Sequence, residues 1–530
     1  MRQRSGDVER RAVAGAAEGV YGTVPHQDDA ERPRIEAARL GKGLANVRSS
    51  MAGRSAWLRP GVLLALTLTC SACDTVNSVT DKMLGTSGPA EGQPGYVQGF
   101  LGGAVSDEPR ATLVAREVLS AGGSAADAAV ALGFALAVTL PSRAGIGGGG
   151  ACLAYAADKK SVNGGVPEAV IFTPIGSSGS TAGADRPAAV PMLPRGLYLL
   201  HARYGRRPFE SLIVPAEQLA RFGTPASRAL VRDLTLVAGP LFADPNTRAV
   251  FSRNGAPIAE GQPLLQPDLA ATLSQIRVSG VGDFYTGALA RRIEQASPLA
   301  GGPIVLADLR GALPRAVPAI VVQDRNDRVA FLAPPADGGL AAAAGFMTLQ
   351  RDAGAYGGAA ARALAVVARW RAGGVDAQGL LTASDLQEAP IPPLPASTGF
   401  ATLDKDGNAV ACVLSMDNLF GTGRVLPGLG FLLAASPAVV PPPLYSAAIA
   451  WNENTHAFRA AATGSGQEGA AVAAAAGMLN ALHANRPMAA TVPDPGRVNV
   501  IECSRYLPGE NGSCAWASDP RDAGLAVGGS

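Results

Sequence analysis

Two neighbouring hydroxyl side chains, Ser397 and Thr398, are the best candidates in the sequence for a nucleophile that cleaves its own backbone. They follow a proline-rich connector, residues 390–395, and begin a short apolar run. A serine at the end of an extended, accessible connector could attack the preceding peptide bond and become a new N-terminus. The freed α-amino group, with a pKa of about 7.7–8, could then act as general base for that hydroxyl. The same residues are also typical of a loop that enters an ordinary hairpin.

A β-hairpin is predicted directly after the hydroxyl pair. Two short apolar runs flank residues 404–408, and Gly407 followed by Asn408 supplies residues that tolerate positive φ. The second run, residues 409–415, reads as a buried strand. The hydroxyl pair therefore lies at the start of the first strand of the hairpin.

Helices and strands are also predicted earlier in the chain. Residues 111–121 read as a helix, and Ser124 with Asp127 three residues later caps a second, alanine-rich helix that ends near residue 139. An apolar strand follows at residues 151–155, and residues 354–387 read as helical. Cys152 and Cys412 lie in apolar strands, which is typical of inert core thiols.

Composition restricts the classes of function. The chain has 530 residues, of which 47% are hydrophobic and 17% charged, as in globular proteins with a large core. The net charge is +2 and no basic block occurs beyond the N-terminus, so nothing indicates nucleic-acid binding. None of the four histidines stands at metal-ligand spacing from a cysteine or an acidic residue. We therefore predict no metal and no cofactor.

A second start is visible at Met51. Two arginines precede an apolar run, residues 62–69, and small residues then lead to Cys73. We interpret residues 51–73 as a lipoprotein-type signal peptide with Cys73 as the lipidated residue, and residues 74–94 as a tether. The alternative, a transmembrane anchor, would need about 20 apolar residues.

This interpretation predicts where the protein is found. Translation would start at Met51, so residues 1–50 would be a spurious or disordered extension. The mature protein would be a lipid-anchored membrane protein of the cell envelope, facing the periplasm.

The segment 397–433 resembles the small subunit of gamma-glutamyltransferases. That family reads Thr-Thr-His-x-Ser and then Asp-Lys-Asp-Gly-Asn-Ala-Val, and residues 404–410 match the second part without change. Residues 420–423 and 427–433 continue the match. Aligned in this way, the family's catalytic threonine falls on Ser397, and Thr398 and Gly399 take the places of the following threonine and histidine.

The preceding part of the chain resembles the large subunit of the same family. The match runs through residues 122–130, 145–150, 283–287 and 334–339. The resemblance implies an α+β fold, the four-layer αββα sandwich of N-terminal-nucleophile hydrolases. Residues 95–396 would form a large-subunit-like region and residues 397–530 a small-subunit-like region.

Several substrate-binding positions depart from the family pattern. Thr173 stands where the family has an arginine that grips the substrate α-carboxylate, which threonine cannot do. Ser415 replaces a threonine that supports the nucleophile, a conservative change. Asp417 replaces an asparagine that contacts the glutamyl group, and its carboxylate would repel an anionic substrate. Residues 434–437, Ala-Ala-Ser-Pro, stand in place of an acidic segment.

Two further segments are altered. Tyr445 and Ser446 occupy a Pro-Leu-Tyr-Ser-Ala run where the family has Pro-Leu-Ser-Ser-Met. Gln467 and Glu468 interrupt the glycine-rich segment that helps to form the oxyanion hole, where backbone N–H groups must approach the developing charge. Glu468 would oppose an oxyanion if it pointed inward.

Cys503 and Cys514 flank a short segment that contains Gly509 and Gly512. In an exported protein this spacing favours a disulfide that closes a hairpin. Two unpaired thiols are the alternative.

Three functions fit the sequence. The first is a gamma-glutamyltransferase-type amide hydrolase or acyltransferase that forms an acyl-enzyme on Ser397 and passes the acyl group to water or an amine. The second is the same mechanism with another small-molecule amide substrate. The third is a non-catalytic, envelope-tethered member of the fold used for binding or structure. In each case the lipid anchor makes the membrane a partner.

Overall fold

The computed structural model describes residues 99–529, except residues 181–182, 385, 387–391, 486 and 488–491. The expected extension, signal segment with Cys73, and tether lie outside the described residues. No helix in the described part of the chain is both long enough and apolar enough to cross a bilayer.

The strands and helices alternate in blocks along the chain. The strands are β1 Gly102–Ser106, β2 Gly149–Tyr155, β3 Glu168–Phe172, β4 Ile175–Gly176, β5 Ala189–Val190, β6 Thr224–Pro225, β7 Ser252–Arg253, β8 Ala256–Pro257, β9 Pro263–Leu264, β10 Arg315–Pro318, β11 Ile320–Asp324, β12 Asp327–Phe331, β13 Thr398–Asp404, β14 Ala409–Ser415, β15 Ser446–Asn452, β16 Ala457–Ser465, β17 Arg497–Leu507, β18 Cys514–Ala517 and β19 Leu525–Gly528. The helices are α1 Pro109–Ser120, α2 Ala125–Thr139, α3 Leu193–Tyr204, α4 Phe209–Phe222, α5 Arg228–Leu241, α6 Pro245–Phe251, α7 Pro267–Ser279, α8 Val281–Thr286, α9 Ala288–Ala296, α10 Leu306–Gly311, α11 Gly338–Arg351, α12 Tyr356–Arg371, α13 Ala377–Thr382 and α14 Ala470–Ala484.

Two large antiparallel sheets form the centre of the fold. The first sheet has the strand order β10-β3-β2-β14-β13-β1-β19, and the second has the order β11-β12-β15-β16-β17-β18. The predicted hairpin is β13 and β14 of the first sheet, paired from Thr398 opposite Leu414. Its turn is held by the Asp404 carboxylate, which accepts the backbone N–H groups of Asp406 and Asn408. The hairpin prediction is confirmed.

Apolar residues on both faces of each sheet build four layers. Along β13, Phe400 packs against the helices that cover the first sheet, whereas Ala401 and Leu403 pack between the two sheets. This alternation follows from the two-residue period of a strand. Helices α1–α10 share the core beside the first sheet, and α11–α14 share the core beside the second. The expected αββα arrangement is confirmed.

Helix α2 shows how local sequence fixes one outer layer. The Ser124 hydroxyl accepts the N–H of Asp127, and the Asp127 carboxylate accepts the N–H of Ser124, which is a complete capping box. Every residue of α2 is buried, so its alanines allow close packing against the sheet and the neighbouring helices. The predicted cap is confirmed.

Two disulfides are present among the described residues. One joins Cys503 to Cys514 across β17 and β18. The other joins Cys152 on β2 to Cys412 on β14. The expectation that Cys152 and Cys412 are separate inert thiols is wrong, because antiparallel pairing sets them directly opposite each other with their Cα atoms 4.0 Å apart. The sequence alone gave no sign of that register.

Candidate functional site

One row of residues crosses four strands at the end of the first sheet. Ser397 directly precedes β13, and the β13–β14 register, extended by one residue beyond Thr398–Leu414, sets it opposite Ser415, which pairs with Gly149 of β2. The β2–β3 register pairs Gly150 with Phe172, and its extension by one residue sets Thr173, which directly follows β3, opposite Gly149. Residues directly opposite in antiparallel strands point to the same face. Ser397, Ser415 and Thr173, three residues expected at the site, therefore face the space between the sheets.

The peptide bond before Ser397 is held by a specific contact. The Ser415 hydroxyl donates a hydrogen bond to the carbonyl oxygen of Ala396, with the two oxygen atoms 2.8 Å apart. Ser415 Oγ in turn accepts the backbone N–H of Asp417 at 2.9 Å. Ser397 itself is only 2% exposed. The arrangement polarises the Ala396 carbonyl group beside a buried serine hydroxyl.

Asp107, which follows β1, anchors the start of β13. Its carboxylate accepts the Thr398 hydroxyl at 2.9 Å, the Gly399 N–H at 3.0 Å and the Asn499 side-chain amide at 2.7 Å. Burial raises the pKa of Asp107 to about 6. Thr398, adjacent to Ser397 on the strand, therefore points away from the row and serves to position it.

The sequence pattern did not identify Asp107 or Asn499. Asp107 stands beside Glu108, whose side chain caps helix α1, so both acids read as helix-start residues. Asn499 comes from β17 of the second sheet. Only the packing of one sheet on the other brings it to Asp107.

Gly399 occupies the place where the resemblance expects a histidine. A Cβ atom at this position would lie 2.6 Å from Thr463 Oγ1, which is too close for any side chain without rearrangement. Thr463 Oγ1 is itself buried and has no hydrogen-bond partner among the described residues. The threonine from the second sheet thus fills the space above Gly399.

A cleft of about 400 Å³ opens beside the row. It contains three of the residues expected to bind substrate, Thr173, Asp417 and Tyr445. Most of the remaining wall is apolar. The complete lining is Ile171, Phe172, Thr173, Pro174, Ile175, Gly176, Met192, Leu313, Arg315, Pro335, Asp417, Pro437, Pro442 and Tyr445.

Asp417 is a buried acid in this cleft. The Tyr445 hydroxyl donates to its Oδ1 at 3.2 Å, and Oδ2 has no hydrogen-bond partner in the described part of the chain. Burial raises the pKa of Asp417 to about 7, and the hydrogen bond from Tyr445 opposes this only in part. Burial and the neighbouring Asp417 raise the pKa of Tyr445 well above its usual value. A protonated Asp417 offers one donor and one acceptor, as asparagine does, so the expected repulsion of anions weakens below neutral pH.

The other predicted residues lie apart from the cleft lining. Ser446 Oγ lies 3.1 Å from the carbonyl oxygens of Gly338 and Leu444, within the second sheet layer. The Gln467 side chain donates to the carbonyl oxygen of Leu394 at 3.2 Å and so holds the connector before Ser397. Glu468 is exposed to solvent.

Comparisons with known proteins agree with this architecture. The family model described as gamma-glutamyltranspeptidase matches residues 111–367, a segment that ends before Ser397. The glutathione hydrolase proenzyme of Escherichia coli is 28% identical over 392 residues, 64% of this chain and 66% of that protein. The glutathione hydrolase proenzyme of Pseudomonas aeruginosa is 30% identical over 401 residues, 66% of this chain and 70% of that protein.

Among solved structures, the chain is similar to a cephalosporin acylase from Bacillus halodurans. The TM-score is 0.66 at 19% identity, covering 83% of this chain and 98% of that structure, which supports the fold. The chain spans about two thirds of the length of these two bacterial glutathione hydrolases. Fold, motif order and sequence similarity together lead to one assignment: the chain belongs to the gamma-glutamyltranspeptidase family and has the N-terminal-nucleophile hydrolase fold.

Proposed function

We propose that the chain is a self-cleaving amide hydrolase or acyltransferase with Ser397 as its nucleophile and an altered substrate site. The observation that carries this proposal is the 2.8 Å hydrogen bond from the Ser415 hydroxyl to the Ala396 carbonyl oxygen. It supplies a donor at the oxygen where negative charge develops when Ser397 attacks. Such donors are among the largest contributions to acyl-transfer catalysis.

Self-cleavage would proceed by an acyl shift. Ser397 Oγ forms a bond to the Ala396 carbonyl carbon, the bond from that carbon to the Ser397 nitrogen breaks, and the hydroxyl proton ends on the nitrogen. Water then hydrolyses the resulting ester, which leaves a carboxylate on Ala396 and a free amine on Ser397. The cut would separate the part of the chain that contains the large-subunit-like region, residues 95–396, from the small-subunit-like region, residues 397–530.

In turnover, the new α-amine would take the proton of the Ser397 hydroxyl as it attacks a substrate amide. The leaving amine departs with a proton, and the acyl group stays on Ser397 Oγ until water or another amine accepts it. Asp107 would hold the start of β13 rigid through Thr398 and Gly399.

The substrate would differ from that of glutathione hydrolases. Thr173 cannot form the bidentate contact to a carboxylate that arginine forms. Pro437, from the segment that replaces the acidic run, lines the cleft instead of a carboxylate. Both changes favour an amide whose acyl group is not gamma-glutamyl.

A non-catalytic role in binding or structure is the second candidate. It is favoured by Gly399, which lacks the imidazole expected there. It is also favoured by Gln467, whose side chain donates a hydrogen bond to the Leu394 carbonyl oxygen and so holds the connector in place. In this case the chain would stay intact, and the Ser397 nitrogen would remain in the peptide bond to Ala396.

Intact mass measurement of purified protein separates the two candidates. We expect wild-type protein to yield a fragment that begins at Ser397, and Ser397→Ala to remain a single chain. Thr398→Ala should still cleave. An intact wild-type chain after prolonged incubation would favour the non-catalytic role, and blockage by Thr398→Ala alone would move the nucleophile by one residue.

We also propose that the protein is an envelope lipoprotein anchored through Cys73. The support is the sequence from Met51, with its arginines, apolar run and small residues before Cys73. Expressed from Met51, the wild type should fractionate with membranes and Cys73→Ser should be released. A soluble wild type would contradict the proposal.

A further inference from the structure

Arg315 is a cation without a partner at the edge of the cleft. It begins β10, the outermost strand of the first sheet, and pairs with Ile171 of β3. The side chain is exposed, and the guanidinium forms neither a hydrogen bond nor an ion pair with any described residue. Ile171 and Thr173 point to the same face of β3, and Arg315 lies directly opposite Ile171. Arg315 therefore projects on the face that carries the row of Ser397, Ser415 and Thr173.

The described lining of the cleft contains two charged residues, Asp417 and Arg315, and they differ in burial. Asp417 is buried beside Tyr445, and Arg315 is at the solvent edge. Between them the wall consists mainly of apolar side chains and prolines. A ligand that matches this wall has an apolar body and one anionic end.

The strand order gives the approximate span of that ligand. Neighbouring strands are about 4.8 Å apart, so Thr173, three strands from Ser397, lies roughly 14 Å away along the row. Arg315 is one strand further out, about another 4.8 Å, and lies opposite Ile171, two residues or about 6.6 Å along β3 from the row. An anion bound by Arg315 therefore lies farther from the Ser397 hydroxyl than one bound by an arginine at position 173 would.

We propose that Arg315 determines substrate specificity by binding a terminal carboxylate of the acyl group, separated from the reacting carbonyl by an apolar spacer longer than that of a glutamyl group. The substrate class is thus a long ω-carboxyacyl amide. This inference rests on the proposed function, since it places the acyl group on Ser397. Arg315 would act on binding and would take no part in the chemical steps.

The test uses 4-nitroanilides of succinic, glutaric, adipic, pimelic and suberic acids, with hexanoyl 4-nitroanilide as the uncharged reference. With self-cleaved wild-type protein, we expect the adipyl to suberyl compounds to have lower KM values than the hexanoyl compound. Arg315→Gln should raise KM for these acids about tenfold or more, the usual effect of losing a charged hydrogen bond, while kcat and the hexanoyl reaction stay unchanged. Arg315→Lys should recover part of the affinity.

Arg291→Gln is the matched control, because Arg291 is an exposed arginine on α9 outside the cleft. Equal effects of Arg315→Gln on charged and uncharged anilides would overturn the inference, as would no effect on either. If the wild type self-cleaves but hydrolyses none of these compounds, the inferred substrate class is refuted and the proposed nucleophile is unaffected. If the wild type does not self-cleave, the proposed function fails. The inference is then decided by calorimetric binding of adipyl 4-nitroanilide to intact Ser397→Ala protein. Binding weakened about tenfold by Arg315→Gln supports it, and binding that is absent or unchanged refutes it.

Discussion

Cys152 and Cys412 form a disulfide between two strands that lie on opposite sides of the Ala396–Ser397 bond in the sequence. Cys152 is on β2, before that bond, and Cys412 is on β14, after it. The bridge lies at the centre of the first sheet and both residues are fully buried. Cleavage at Ser397 would therefore leave the two parts joined covalently as well as by the sheet.

This bridge predicts how the cleaved protein migrates in electrophoresis. We expect one band near the intact mass without reductant and two fragments after denaturation with reductant. Cys152→Ser should give two fragments under both conditions. Cys503→Ser, which breaks a disulfide contained within one fragment, should migrate like the wild type. Two fragments from denatured, unreduced wild-type protein would show that the bridge is absent.

The sequence predicted local structure well wherever the pattern was local. The hairpin turn at Asp404 and the capping box at Ser124 depend on residues a few positions apart, and both are confirmed. The four-layer fold was predicted from the order of family motifs. In each case the information lies within short segments or in their order.

Contacts between distant strands could not be predicted in this way. The Cys152–Cys412 bridge and the position of Arg315 depend on strand register, which single strands do not reveal. The resemblance places Gly399 where the family has a histidine. The structure adds a steric reason, because Thr463 of the second sheet occupies the space that a side chain would need.

The Ser415 hydroxyl provides a quantitative prediction about maturation. Because it donates to the Ala396 carbonyl oxygen, Ser415→Ala should slow self-cleavage by about 10²–10³-fold, the usual effect of losing one oxyanion donor. Ser415→Thr should cleave at nearly the wild-type rate. The measurement is the fraction of the Ser397 fragment over time. Ser120→Ala, which removes a buried hydroxyl on α1, is the control, and equal rates for Ser415→Ala and the wild type would contradict the assigned contact.

Gamma-glutamyl substrates should be poor substrates. Their α-amino acid group carries one charge of each sign, and a charge that is buried without a partner costs several kcal/mol. Thr173 provides no cation and residues 434–437 provide no acid. We expect gamma-glutamyl 4-nitroanilide and glutathione to react weakly or not at all, measured on protein whose self-cleavage has been verified by mass. Turnover on the order of 1–10³ per second, normal for an enzyme, would contradict this.

Asp417 should make stability depend on pH. Its pKa is raised from 3.8 to about 7 by burial, so between these values the folded chain keeps a proton that the unfolded chain releases. Its contribution to the free energy of unfolding is therefore complete below about pH 4 and is lost as the pH rises through 7. The loss is on the order of 4 kcal/mol.

Asp417→Asn has no proton to lose at this position and retains an oxygen that can accept the Tyr445 hydroxyl. We expect the variant to gain stability relative to the wild type as the pH rises from 4 to 8, measured by urea unfolding of the Ser397→Ala chain so that cleavage does not interfere. Asp268→Asn, at an exposed position in the first turn of α7, should change little over this range. A constant difference between Asp417→Asn and its parent at every pH would show that Asp417 titrates near its ordinary pKa, and its carboxylate would then oppose anionic ligands at all working pH values.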